Sequence, residues 1–169
     1  MASSLEPWQS HRLRLRGIKT LARSRDKAEI LERLMRLQPN SPRQWGRMSA
    51  HQMVCHLIDS SRMATGEKPV SRATSLVQQT FVKWLALYAP LRWPPGILTR
   101  PELDQNVSGT CPSEFSADIA ELVRQVELLT SQLPSVDWPE HPIFGKLSAK
   151  AWLRWGYLHM DHHFRQFGI

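Results

Sequence analysis

Ser148-Ala149-Lys150-Ala151-Trp152-Leu153-Arg154-Trp155-Gly156-Tyr157-Leu158-His159-Met160-Asp161-His162-His163-Phe164-Arg165-Gln166-Phe167-Gly168 reads as one capped helix. Ser148 supplies an N-cap oxygen for a free backbone amide, and Gly168 is a stop. At about 100° per residue, Trp152, His159, His163 and Gln166 fall within an arc of about 60°. Leu153, Met160 and Phe164 flank that arc on one side, Trp155 and Leu158 on the other. The two imidazoles therefore lie mid-face, where this helix should meet its neighbours. His162 lies about 60° from the His159 direction, nearer the edge, and is the poorer partner; a His159/His162 pairing stays open.

Working outward, the same helical period recurs. Ile30, Leu31, Leu34, Met35 and Leu37 form a stripe that starts after Ser24 or Asp26 and closes at Pro39-Asn40-Ser41-Pro42. Ser49-Ala50-His51-Gln52 is a capping box opening a helix that should end at Gly66. A third helix is predicted over residues 73–88, apolar on most sides and therefore buried. A fourth is predicted over 114–132, with Phe115, Ile119, Leu122, Val123, Val126 and Leu129 inward. Arg92 to Pro112 and Pro134 to Leu147 are too rich in proline for long helices. No strand-like alternation persists, so the chain reads as all-α, a bundle of four or five helices with long proline-rich connecting loops.

At 169 residues the chain is one domain with a substantial core. Its net charge of +7 is concentrated at the start, where Arg12, Arg14, Arg16, Lys19, Arg23 and Arg25 face Glu6 alone. Residues 1–25 are accordingly read as a basic N-terminal arm, and residues 26–169 as the folded domain. With no helix-turn-helix, zinc-finger or other reader motif, nucleic acid is not expected as a partner. No stretch is apolar enough to insert in a membrane. Two cysteines, Cys55 and Cys111, are too few for a disulfide framework and read as ordinary buried thiols, which suits a cytoplasmic setting.

On the second helix Met53, His56, Leu57, Ser60 and Ala64 share a face. His56 thus points toward the core, whereas His51 points almost the opposite way, toward solvent. Burying several unpaired imidazoles costs several kcal/mol unless something satisfies them. Three neutral imidazoles, His56, His159 and His163, make a divalent-metal site with coordination positions left over. Zinc suits this set, and nickel or iron(II) accepts the same donors. Met160 stands where a zincin-type peptidase carries its glutamate base, which disfavours that chemistry. Asp59, one turn from His56, is expected to accept its free N–H, and Gln166, one turn beyond His163, to orient a ligand or substrate. Trp45, Phe144 and residues 99–102 are candidates for the wall of a pocket.

The stretch Trp45-Gly46-Arg47-Met48-Ser49-Ala50-His51-Gln52-Met53-Val54-Cys55-His56-Leu57 resembles the second helix of the DinB-like (DinB/YfiT) superfamily, and His159-x-x-x-His163-x-x-Gln166 its last helix. His141-Pro142-Ile143-Phe144-Gly145-Lys146-Leu147-Ser148 and Pro95-Gly96-Ile97-Leu98-Thr99-Arg100-Pro101-Glu102 resemble a subfamily of that group without assigned function. The resemblance covers about residues 18–169. It implies a four-helix bundle, a divalent ion on His56, His159 and His163, and homodimers. It also implies thiol-dependent transferase or hydrolase chemistry on a small-molecule substrate, with a low-molecular-weight thiol as cosubstrate in the former case. The rival expectation is a non-catalytic, metal-stabilised interaction module.

Overall fold

The computed structural model describes residues 18–131 and 137–169. Residues 1–17, most of the basic arm read from the sequence, lie outside the described residues. The described chain is all-helical, with no strand and a single one-residue bridge between His141 and Gly145. Its long helices are α1 (Ser24–Leu34), α2 (Ala50–Thr65), α4 (Phe115–Ser131) and α5 (Ala149–Gln166). A π-helical turn, Gln78–Val82, runs into the short helix α3 (Lys83–Tyr88), and a 3-10 turn spans Pro101–Leu103.

Helix ends obey the local chemistry. Ser49 Oγ accepts from Gln52 N while Gln52 Oε1 accepts from Ser49 N, completing the box that starts α2. Gly66 closes α2 at φ +83°, a left-handed conformation that side chains disfavour. Ser148 Oγ accepts from Ala151 N at the start of α5, and Gly168 follows its end at φ +69°.

α2 packs along α4 and meets α5, and α1 lies against the other side of α5. Trp152, Leu153 and Phe164 of α5 are fully buried with Ile30, Leu57, Leu122 and Leu129. Polar ties fix the helix pairs. Arg33 joins α1 to Asp161 of α5 at 2.8 Å, and Arg62 joins α2 to Glu121 of α4 at 2.8 Å. Leu21 is also buried, and its amide donates to Leu153 O. The fold therefore reaches back into the last residues assigned to the arm, and α1 already begins at Ser24.

The third helix departs from expectation. It is shorter than predicted, and Phe81, Trp84 and Tyr88 are about half or more exposed, with only Leu87 fully buried. Its apolar residues cover all sides, but it touches the rest of the chain along one line, chiefly at α5. Among the described residues nothing covers its other side.

Because α2 carries the core histidine, its cap bears on the site. Ser49→Ala should cost about 1 kcal/mol, seen as a lower urea midpoint at unchanged m-value; an unchanged midpoint would mean the box contributes nothing.

Candidate metal centre

His56 is buried on the inner face of α2, opposite the inner face of α5 that carries His159 and His163. His159 Nε2 lies 3.2 Å from His56 Nε2 and 3.2 Å from His163 Nε2, and one ligating atom of each residue lies within 4.8 Å of the other two. Two donors bound about 2.0–2.1 Å from one ion at a near-tetrahedral angle stand about 3.3 Å apart. The spacing therefore fits a shared cation.

Hydrogen bonds decide which nitrogens are free. Leu103 O, at the end of the 3-10 turn, lies 2.8 Å from His56 Nδ1. A carbonyl can only accept, so Nδ1 carries the hydrogen and Nε2 keeps its lone pair. Trp45 O lies 2.9 Å from the Gln166 amide nitrogen, which turns Gln166 Oε1 toward His163 Nδ1 at 3.1 Å. By the same logic His163 Nδ1 donates, and its Nε2 is free. His159 is held by Trp155, stacked on it with ring centroids 4.7 Å apart.

A hydrogen on His159 Nε2 could satisfy only one of its two neighbours. The inward lone pairs are thus best satisfied by a cation, and the donor set fits a divalent metal. Burial keeps all three rings neutral: it lowers the basicity of His56 against the opposing pull of Leu103 O, and pushes His159 and His163 well below the ordinary range, reinforced by the neighbouring imidazoles. Neutral imidazole is the ligating form.

Gly46 explains how Gln166 reaches its place. Its φ is +79°, and a Cβ there would collide with Gln166 Nε2. Trp45 contributes its backbone carbonyl, while its ring tilts against His162 at 6.1 Å; it is absent from the cavity wall, contrary to expectation.

The expectation for Asp59 also fails. Asp59 is fully buried but accepts from Thr110 N at 2.7 Å and Thr110 Oγ1 at 2.6 Å, with Lys68 Nζ at 3.0 Å. It ties down the loop that leads to α4. The free N–H of His56 is taken by Leu103 O, whose place depends on a turn far along the chain.

A cavity of about 540 Å³ opens beside the triad, with all three histidines in its wall. Phe144, Thr99 and Arg100 line it as expected, whereas Glu102 turns away to accept from Ser71 N. His162 also lines it.

Sequence reasoning missed His141. It is buried, stacked on Phe144 at 4.7 Å and edge-on to Trp155 at 5.0 Å. Its Nδ1 accepts from both Ile143 N and Phe144 N at 3.1 Å, so Nε2 carries the hydrogen. Burial lowers its pKa to about 3. The signal was present in the sequence: a histidine before Pro142 in a tight turn ending at Gly145.

A second donor group joins α2 to α4. Asp118 Oδ2 accepts from His51 Nε2 at 2.7 Å, from Ser113 N at 3.0 Å and from Cys55 Sγ at 3.5 Å. His51 is therefore half-buried and paired, not solvated. Burial, reinforced by Asp118, pushes the Cys55 thiol up to about 12, which leaves it un-ionised at neutral pH. Cys111 is exposed, not buried.

These features define an all-α protein built around a largely buried histidine triad. Residues 19–168 match the family described as "Protein of unknown function (DUF1569)", and the chain belongs to that family. No curated protein and no solved structure matches the chain.

The buried imidazoles set a pH dependence. His56, His141, His159, His162 and His163 all have folded pKa values below the ordinary value of about 6.5. Below that pH the unfolded chain binds protons that the folded chain does not, so stability falls as pH drops. In excess chelator the melting temperature should fall by several degrees between pH 7 and pH 5. A flat profile would mean these rings are solvated or already charged.

Proposed function

We propose that this chain is a divalent-metal-dependent enzyme acting on a small molecule, with His56, His159 and His163 as the metal ligands. The observation that carries this reading is the convergence of three inward Nε2 atoms, two of them on rings whose Nδ1 hydrogens are committed to Leu103 O and Gln166 Oε1. The cavity beside them argues for catalysis over a purely structural ion, since structural zinc sites usually close with four protein ligands.

When bound, the ion would supply Lewis acidity that activates water or a thiol and polarises a substrate oxygen. The protein's own residues do the rest. Leu103 O and Gln166 hold two imidazoles in the ligating tautomer, and Trp155 braces the third ring. The described cavity wall carries no aspartate or glutamate, so no carboxylate base stands ready there. That favours chemistry in which the nucleophile is activated at the metal: transfer from a low-molecular-weight thiol, or hydrolysis by water. Zinc suits the donors best; nickel and iron(II) accept them.

The finer fold reading follows. Mutual packing of α1, α2, α4 and α5, with the triad drawn from α2 and α5, supports a four-helix bundle of the DinB-like kind. Homodimer formation and a cytoplasmic setting are further parts of this reading. No helix among the described residues is long and apolar enough to cross a membrane, which supports action without membrane insertion.

Elemental analysis of tag-free protein should find about one divalent ion per chain, lost in His163→Ala, with metal-dependent turnover in a panel of thiol acceptors and esters. Metal-free protein that also fails to take up zinc, nickel or iron(II) would overturn the reading. Gly46→Ala should weaken metal affinity by about 10- to 100-fold by displacing Gln166, with helicity retained by circular dichroism. Unchanged affinity would remove Gln166 from the site.

A further inference from the structure

The cavity beside the triad is strongly asymmetric. Val82 and Leu85 from the π-turn and α3, Leu91 and Ile97 from the segment that follows, and Ile143 and Phe144 from the loop before α5 make most of an apolar wall. Five histidines also line it, and Gln78, Arg92, Thr99 and Arg100 are its other polar or charged members. At the histidine end His141 and His162 each keep a buried ring nitrogen with no hydrogen-bond partner, His141 Nε2 and His162 Nδ1.

His141 is the more definite of the two. Two backbone amides donate to its Nδ1, so its unpartnered Nε2 is an N–H donor. An unpaired buried donor of this kind is costly unless a ligand completes it. A sugar or peptide would leave its own polar groups unpaired along the apolar wall. A cationic ligand would find no carboxylate there, while Arg92 and Arg100 border the same space.

We propose that the ligand is an amphiphile: an acyl or alkyl chain lying along the apolar wall, with an uncharged or anionic oxygen head group at the histidine end. The head accepts a hydrogen bond from His141 Nε2–H. This deepens the metalloenzyme reading and rests on it only for the contact between head group and ion. The volume of about 540 Å³ lies within the range of small-molecule sites, and the chain enters past Leu91 and Ile97, both exposed.

The test is a chain-length series. Straight-chain alkyl hydroxamates from two to ten carbons, kept below micelle formation, are titrated calorimetrically into zinc-loaded protein. Matched fatty acids are titrated into the metal-free protein. Affinity should rise about fourfold per added methylene in both series until the cavity is full. Ile143→Trp should flatten the rise while leaving zinc content and acetohydroxamate binding unchanged. In ¹⁵N-histidine spectra the His141 Nε2–H signal should shift on adding decanoate.

Hydroxamate affinity independent of chain length would overturn the amphiphile proposal and leave the metal site standing. A graded fatty-acid series in protein that takes up no metal would uphold the proposal and sink the metal reading. Decylamine binding as tightly as decanoate would overturn the assignment of the head group, as would an unmoved His141 signal.

Discussion

Gathering three imidazoles at one point, two buried and His159 half-buried, without a countercharge among them, is the constraint around which the rest of the structure is arranged. Each ring must be neutral, and each inward nitrogen must offer a lone pair. That holds for His56 and His163 only because their outward nitrogens have acceptors, Leu103 O and Gln166 Oε1. Gln166 in turn is oriented by Trp45 O and admitted by the missing Cβ of Gly46. The fold thus spends two loops, before α2 and before α4, on setting ring tautomers. A metal site read only as three ligands would omit this half of its design.

Two carboxylates, Asp59 buried and Asp118 half-buried, have a different task. Asp59 and Asp118 both lie at the junction of α2 with the segment leading into α4, and both collect donors from that segment, Thr110 and Ser113 respectively. For Asp118, burial works against the charge, but the bonds from Ser113 and His51 outweigh it and hold the carboxyl below its usual range. These ties anchor the loop whose 3-10 turn presents Leu103 O. Their effect on the histidines is indirect, through the position of that loop.

The cavity exists because α3 is a thin cover. The helix is short, meets the body mainly through α5, and, with Phe81 of the preceding π-turn, leaves Trp84 and Tyr88 largely outward. The proline-rich chain that follows it cannot fill the remaining space with long helices. The result is an apolar recess against a polar histidine end, a combination that suits a ligand with two unlike ends and supports the functional reading offered above.

Periodicity and capping were enough to locate α1, α2, α4 and α5, since Ser49, Gly66, Ser148 and Gly168 act on their own neighbours and need no tertiary partner. Angular arithmetic on α2 and α5 likewise placed His56, His159 and His163 on inward faces, because a helix of known pitch fixes direction locally. What completes the site is non-local. Leu103 is 47 residues from His56, and Trp45 is 121 from Gln166. A backbone carbonyl has no side-chain signature to mark it in advance. The same limit explains Asp59, one turn from His56 along the helix yet claimed by Thr110 in space, and α3, whose apolar composition could not reveal which side would be left uncovered. Local chemistry determined the helices and their faces; only the docking of distant loops decided which nitrogen of His56 and of His163 is free.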